Sequence, residues 1–208
     1  ILFEYDIVAN TLIKKKDFLI PTGSTPNGSL IQTANGKLYG LTSTGGSASQ
    51  GVLFEYEIVT NTYTKKIDLV ASTGTTPLRD LAELPNGKLY GMTAYGGTNG
   101  AGVLFEFNPA SSTYTPKFNF TAIEGTNPTG SLTYSALNGK LYGMTYSGGA
   151  LLKGVLFEYD PTSQFFVKRN DLSGSPLGSL LLTSKVDQTI SFGTLSAKLQ
   201  GGAPFLLS

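Results

Sequence analysis

GVLFEYE at residues 51–57 comes back as GVLFEFN at 102–108 and GVLFEYD at 154–160, and in a shorter form, ILFEYD, at 1–6. Phe3, Phe54, Phe105 and Phe157 therefore stand 51, 51 and 52 residues apart. Two further series keep the same beat: NGKLYG at 35–40, 86–91 and 138–143, and a Gly-Gly pair at 45–46, 96–97 and 148–149. Pro26, Pro77 and Pro128 also recur at intervals of 51. A period near ~50 residues is the mark of propeller blades or solenoid turns, each too small to bury its own apolar faces alone.

One unit reads as four strands. SLIQTA (29–34) is strand a, KLYGLT (37–42) strand b, VLFEYEI (52–58) strand c and TYTKKIDL (62–69) strand d. Asn35-Gly36 between a and b is a hairpin signal, expected to place both central residues at positive φ. The Gly-Gly pair and a polar loop join b to c, and a Pro/Gly/Thr loop (70–78) leads to the next strand a. On strand c, Val52, Phe54 and Tyr56 share one face and Leu53, Glu55 and Glu57 the other. Both faces carry apolar residues, as a blade packed between two neighbours requires. The expected fold is all-β, with four-stranded antiparallel repeats of about 51 residues forming propeller blades.

Composition agrees. Apolar residues make up 40% of the 208-residue chain and charged residues only 14%. The first figure excludes disorder. The second leaves Thr, Ser, Asn and Gly to solvate the surface, as in extracellular β proteins. A net charge of +1 gives no field for nucleic acid. The chain has no Cys and no His, so disulfides, thiolate chemistry, zinc and copper sites and a Ser-His-Asp triad are ruled out within it. No acidic loop suggests calcium. No cofactor is expected, and no apolar run reaches the ~18 residues of a membrane helix.

The order LYGMT–GG–GVLFEYDP–F–DL over 141–172 resembles the kelch repeat. Leu12, Tyr63, Tyr114 and Phe166, each nine after the aligned phenylalanine, hold the place of the kelch tryptophan. The pattern G-x-LYG-x-T-x-x-GG followed by G-x-LFE-[YF] more closely resembles the GloVer tandem repeat, over roughly residues 1–183. That resemblance implies a kelch-like propeller in a secreted or cell-surface bacterial protein, and it implies no activity. After residue 183 no fourth NGKLYG appears. VDQTISFGTLSAKLQGGAPFLLS (186–208) instead resembles the opening of a bacterial Ig-like module. We therefore expect repeats over 1–183 and a linker with a truncated Ig-like start over 184–208, with further blades and Ig-like domains elsewhere in a longer chain.

Each candidate site has a plain structural reading beside it. The Gly-Gly pairs could cradle an anion, but their recurrence is explained by turn or bulge geometry. GTNGAG (97–102) precedes no helix, and NGKL lacks the Ser or Thr of a phosphate loop. Glu4, Glu55, Glu106 and Glu158, with Lys37, Lys88 and Lys140, read as cross-strand pairs rather than catalytic groups, because a group repeated in every blade is symmetric and active sites are not. Lys15, Lys66, Lys117 and Arg169 read as guards on the outer strand edge rather than as a basic stripe. Tyr39, Tyr90 and Tyr142 are expected between blades. Tyr95 and Tyr146 differ: they precede the Gly-Gly turn at unequal offsets, so the repeat does not dictate them. Exposed there, they suit stacking on carbohydrate or peptide.

The leading functional reading is a non-catalytic binding module, outside the cell, for carbohydrate or protein. A repeat scaffold and a carbohydrate-active propeller enzyme are the alternatives. The b–c loops vary (SASQ, TNGA, ALLK), which favours binding over scaffolding. The chain opens on strand c of one unit and closes after strand a of another. An incomplete propeller is thus expected, an open arc displaying Leu2, Phe3 and Tyr5 on one flank, with 186–192 belonging to the following module.

Overall fold

The computed structural model of the chain describes residues 1–182 and, as backbone, the strand at 190–192. Among them are sixteen strands in five successive groups. Blade I is the hairpin β1 (Leu2–Asp6) and β2 (Thr11–Lys16). Blade II holds β3 (Ile31–Gln32), β4 (Leu38–Thr42), β5 (Val52–Glu57) and β6 (Thr62–Asp68). Blade III holds β7 (Ala82–Glu83), β8 (Leu89–Thr93), β9 (Val103–Asn108) and β10 (Thr113–Asn119). Blade IV holds β11 (Thr133–Ser135), β12 (Lys140–Met144), β13 (Val155–Asp160) and β14 (Phe165–Asp171). Blade V is β15 (Leu180–Leu182) with β16 (Ile190–Phe192). Within each sheet the strands pair consecutively and antiparallel, in the order a-b-c-d. The blades are those of a propeller. Among the described residues no sheet closes a ring, because β1–β2 and β15–β16 each remain two-stranded.

Two local geometries depart from the sequence reading. Only the glycine of each Asn-Gly pair has positive φ: Gly36 at 82° and Gly87 at 74°, with neither Asn35 nor Asn86 in that region. The Gly36 amide bonds the Thr33 carbonyl, and the Thr33 amide bonds the Lys37 carbonyl. This is a three-residue hairpin loop, a turn closed by a glycine bulge, rather than the two-residue turn expected. Blade IV inserts one residue here, and Gly139 bonds back to Ser135 instead. That insertion accounts for the spacing of 52.

Strand d carries a bulge in every unit. Phe54 faces Lys65 and Leu53 faces Ile67, so Lys66 has no partner across the ladder. Lys15, Lys117 and Arg169 are skipped in the same way. A bulge re-aims the extra side chain, and here it turns each cation towards strand c. Pro116 is tolerated in β10 because that strand is the sheet edge.

The core lies between blades. Tyr39, Leu41 and Leu53 of blade II pack with Leu89, Val103, Phe105 and Phe107 of blade III. Tyr90, Met92 and Leu104 of blade III pack with Leu141, Val155, Phe157 and Tyr159 of blade IV. One face of each blade thus serves the blade before and the other the blade after. On the open flank Phe3 and Tyr5 are exposed as expected, but Leu2 is buried against blade II. Ile190–Phe192 pairs with β15 where strand b pairs with strand a in other units, although 186–192 was expected to go with a following module. The rest of the Ig-like start expected over 184–208 lies outside the described residues.

Candidate functional site

The recurring carboxylates are already engaged. Glu55 accepts from Lys37 Nζ at 2.8 Å and from the Tyr39 hydroxyl at 2.6 Å, with Lys66 Nζ 3.6 Å away. Glu106 is held by Tyr90, by Lys88 at 3.0 Å and by Lys117 at 3.5 Å. Glu158 is held by Lys140, by Tyr142 at 3.0 Å and by Arg169 at 2.6 Å. So the cross-strand Glu–Lys pair expected from sequence exists, enlarged by a tyrosine from strand b. The bulged cation of strand d completes it. Those cations are therefore not edge guards, because their charge goes into the blade.

Burial works against the charged form of each glutamate, but the hydrogen bonds and cations around it outweigh burial and hold the carboxyl below its ordinary value. Burial and the bond to Glu55 push the Tyr39 hydroxyl up to about 12. Each glutamate is thus held, ionised, in a structural staple of a tyrosine and two cations.

The Gly-Gly turns are likewise occupied from within. Both glycines have positive φ in all three copies. The amide that follows them donates to the last residue of strand d: Ser47 to Asp68, Thr98 to Asn119 and Ala150 to Asp171, at 2.7–2.9 Å. A Cβ on Gly46, Gly97 or Gly149 would run into that same carboxylate or amide. The nest read as a candidate anion site holds the protein's own side chain.

Tyr95 and Tyr146 lie on the face formed by the b–c loops, 52% and 41% exposed. Ala94 and Ser43, at the repeat position of Tyr146, are buried. Asn127 ties the two tyrosine loops together. Its side-chain amide donates to the Ala94 carbonyl at 3.1 Å, next to Tyr95, and its own carbonyl accepts from the Tyr146 amide at 3.0 Å. The structure thus brings the two singled-out tyrosines to one face, on neighbouring blades, with Asn127 between them.

A second departure from the repeat was missed. Strand a is entered through Gly28-Ser29, Gly130-Ser131 and Gly178-Ser179, but through Arg79-Asp80 in blade III. Arg79 donates to the carbonyls of Thr129 at 2.7 Å and Leu177 at 2.9 Å. Asp80 accepts from the Ser29 amide and from the Ser131 hydroxyl at 2.9 Å. This pair clamps blades II to V where their inner strands converge. The signal was in the sequence, as PLRDL among PNGSL, PTGSL and PLGSL.

Among the described residues no helix is long and apolar enough to cross a membrane. No curated protein matches the chain. Solved structures do, at the level of fold. The extracellular domain of the one-component system BT4673 from B. thetaiotaomicron matches at TM-score 0.60 and 18% identity, over 92% of this chain and 24% of that one. TolB from Acinetobacter baumannii matches at 0.55 and 12%, over 91% and 45%. A chain of the nidogen/laminin complex matches at 0.58 and 14%, over 91% and 65%. The chain thus spans about a quarter of the BT4673 domain. Residues 1–201 match the Gloeobacter/Verrucomicrobia repeat, and the chain belongs to this family.

Proposed function

We propose that this chain is a non-catalytic binding module of a secreted or cell-surface bacterial protein, taking a carbohydrate or protein ligand on its b–c loop face. The observation that carries the reading is the pair Tyr95 and Tyr146. Both break the repeat, both are exposed, and Asn127 links their loops. Solvent-exposed aromatic rings with a polar tip are favoured contact groups. The extracellular domains among the fold relatives support the location, and the neutralised glutamates support binding over catalysis.

The test is a glycan and protein-ligand array probed with wild type and with Tyr95→Thr, Tyr146→Ser, which restores residues other blades carry at those positions. A ligand retained by wild type and lost by the double variant, at unchanged melting temperature, is the expected result. Equal behaviour of both proteins would favour a scaffold of interchangeable blades.

A further inference from the structure

In blades II to IV strand b pairs with one edge of strand c, and Gly40 lies opposite Phe54, Gly91 opposite Phe105 and Gly143 opposite Phe157. Among the described residues β1, the strand c of blade I, has no partner on that edge. Its free backbone groups can accept another strand. A slot and two side chains specify which strand fits.

The slot lies beside β1 and measures about 160 Å³; Leu2 and Phe18 of blade I line it with Leu30, Gly40, Leu41 and Phe54 of blade II. At the same place between blades II and III, Leu41 packs among Leu53, Leu81 and Phe105. Between III and IV, Met92 packs among Leu104, Phe120, Leu132 and Phe157. Leu41 and Met92 each follow the strand-b glycine directly. The slot therefore matches a leucine or methionine one step after that glycine. Glu4 supplies the polar half of the match. Glu55 accepts from Lys37 and Tyr39 of strand b and lies near Lys66 of strand d. Glu4 has its strand-d cation, Lys15 at 2.9 Å, and half of its side chain is exposed. A lysine and a tyrosine two residues apart on an added strand complete that staple. Phe3 fixes the register. A Cβ on Gly40, Gly91 or Gly143 would come within 2.5–2.6 Å of the phenylalanine ring across the ladder. Phe3 stands at the same register of strand c as Phe54, so the residue opposite it has to be glycine.

We propose that the free edge of β1 docks the a–b hairpin of another repeat of this family, as an added strand of the pattern Lys-x-Tyr-Gly followed by Leu or Met. Its lysine and tyrosine bond Glu4, its glycine lies over Phe3, and its leucine or methionine enters the slot. A second copy of this chain does not supply that strand. Its β4, β8 and β12 already pair with their own strand c, and its β16 puts Ser191 and Phe192 at the registers of Tyr39 and Gly40. The surface belongs to the flank of blade I, so it goes beyond the binding-module reading and does not rest on Tyr95 and Tyr146.

The probe is a synthetic peptide, SLIQTANGKLYGLTSTGG, which copies residues 29–46. Labelled with fluorescein and titrated with the 208-residue protein to about 100 μM, it should show a saturable rise in anisotropy. It should also slow hydrogen exchange at the backbone amides of residues 2–6. Gly40→Val in the peptide should abolish binding, and Leu41→Ala in the peptide should weaken it at least about tenfold. Glu4→Gln in the protein, a change at an exposed side chain, should weaken it about fivefold. Tyr95→Thr with Tyr146→Ser should leave it unchanged. No saturable binding, equal binding of the Gly40→Val peptide, or binding without protection of residues 2–6 overturns the proposal. Loss of binding in the Tyr95 and Tyr146 variant would put the peptide on the b–c loop face, which overturns the docking edge and supports the binding-module reading.

Discussion

Blades I and II carry nearly the same strand c, LFEYD in β1 and VLFEYE in β5, and the two meet opposite fates. Phe54 is 1% exposed and Phe3 is 58% exposed. Glu55 has a lysine, a tyrosine and a second lysine around it, whereas Glu4 has Lys15 alone. The strands pair to the same register, including the bulge. What blade I lacks is strands a and b on one edge and a preceding blade on its outer face. Burial in this fold comes from the neighbour and not from the strand, which is the quasi-one-dimensional logic of repeats.

The largest effect that can break this comparison is a cavity. Phe105→Ala removes a fully buried ring between blades II and III and should cost about 3–5 kcal/mol in urea unfolding. Phe3→Ala, at the equivalent place in blade I, should stay within about 0.5 kcal/mol. Equal losses would mean that blade I is covered in solution. The exposed flank itself sets the second effect. Ile1, Phe3, Tyr5 and Leu12 are exposed on one face of the hairpin, and an apolar patch of that kind promotes association. The 208-residue polypeptide should sediment as an oligomer, and Phe3→Lys with Leu12→Lys should shift it towards monomer. A compact wild-type monomer would count against the exposed flank.

The polar staple gives a smaller contrast. Glu106→Gln leaves Lys88 and Lys117 without their carboxylate in a mostly buried place and should cost about 1–3 kcal/mol. Glu4→Gln removes one exposed pair and should cost less than about 0.5 kcal/mol.

Much of this was legible in the chain because a repeat is its own alignment. Strand order, the two-sided packing of strand c, the Glu–Lys pairs and the interblade tyrosines all follow from period and alternation. The bulge at Lys66 was not legible, because a bulge is one extra residue in a ladder and has no composition of its own. Its consequence, a cation turned inward, reversed the reading of strand d. The Asn-Gly turn misled for a related reason: the dipeptide fits two hairpin geometries, and the pairing of Thr33 with Lys37 decides between them. Tyr95 and Tyr146 stood out because they broke the pattern. Arg79-Asp80 broke it as well. Its meaning needed the third dimension, since the partners of Arg79 and Asp80 lie on three other blades.

The smallest effect is a titration, and it separates the staple from simple burial. The carboxyls of Glu55, Glu106 and Glu158 are held below the ordinary glutamate value of 4.5 in the folded chain. A depressed folded value means that the stabilisation is present above 4.5 and is lost as pH falls through the lower folded value. Tyr39 has the opposite sign. Its hydroxyl is raised from 10.0 to about 12, so its contribution is complete below pH 10 and disappears as pH climbs towards 12. Stability measured by urea unfolding should therefore fall on both sides of a neutral plateau. In Glu55→Gln with Glu106→Gln and Glu158→Gln the acid limb should flatten, because no carboxyl remains in the staples to protonate. The alkaline limb should shrink less, since burial, the larger influence on Tyr39, is untouched. If the variant kept the full acid slope, the carboxylates that destabilise the fold in acid would lie elsewhere, and the staple would be packing rather than charge.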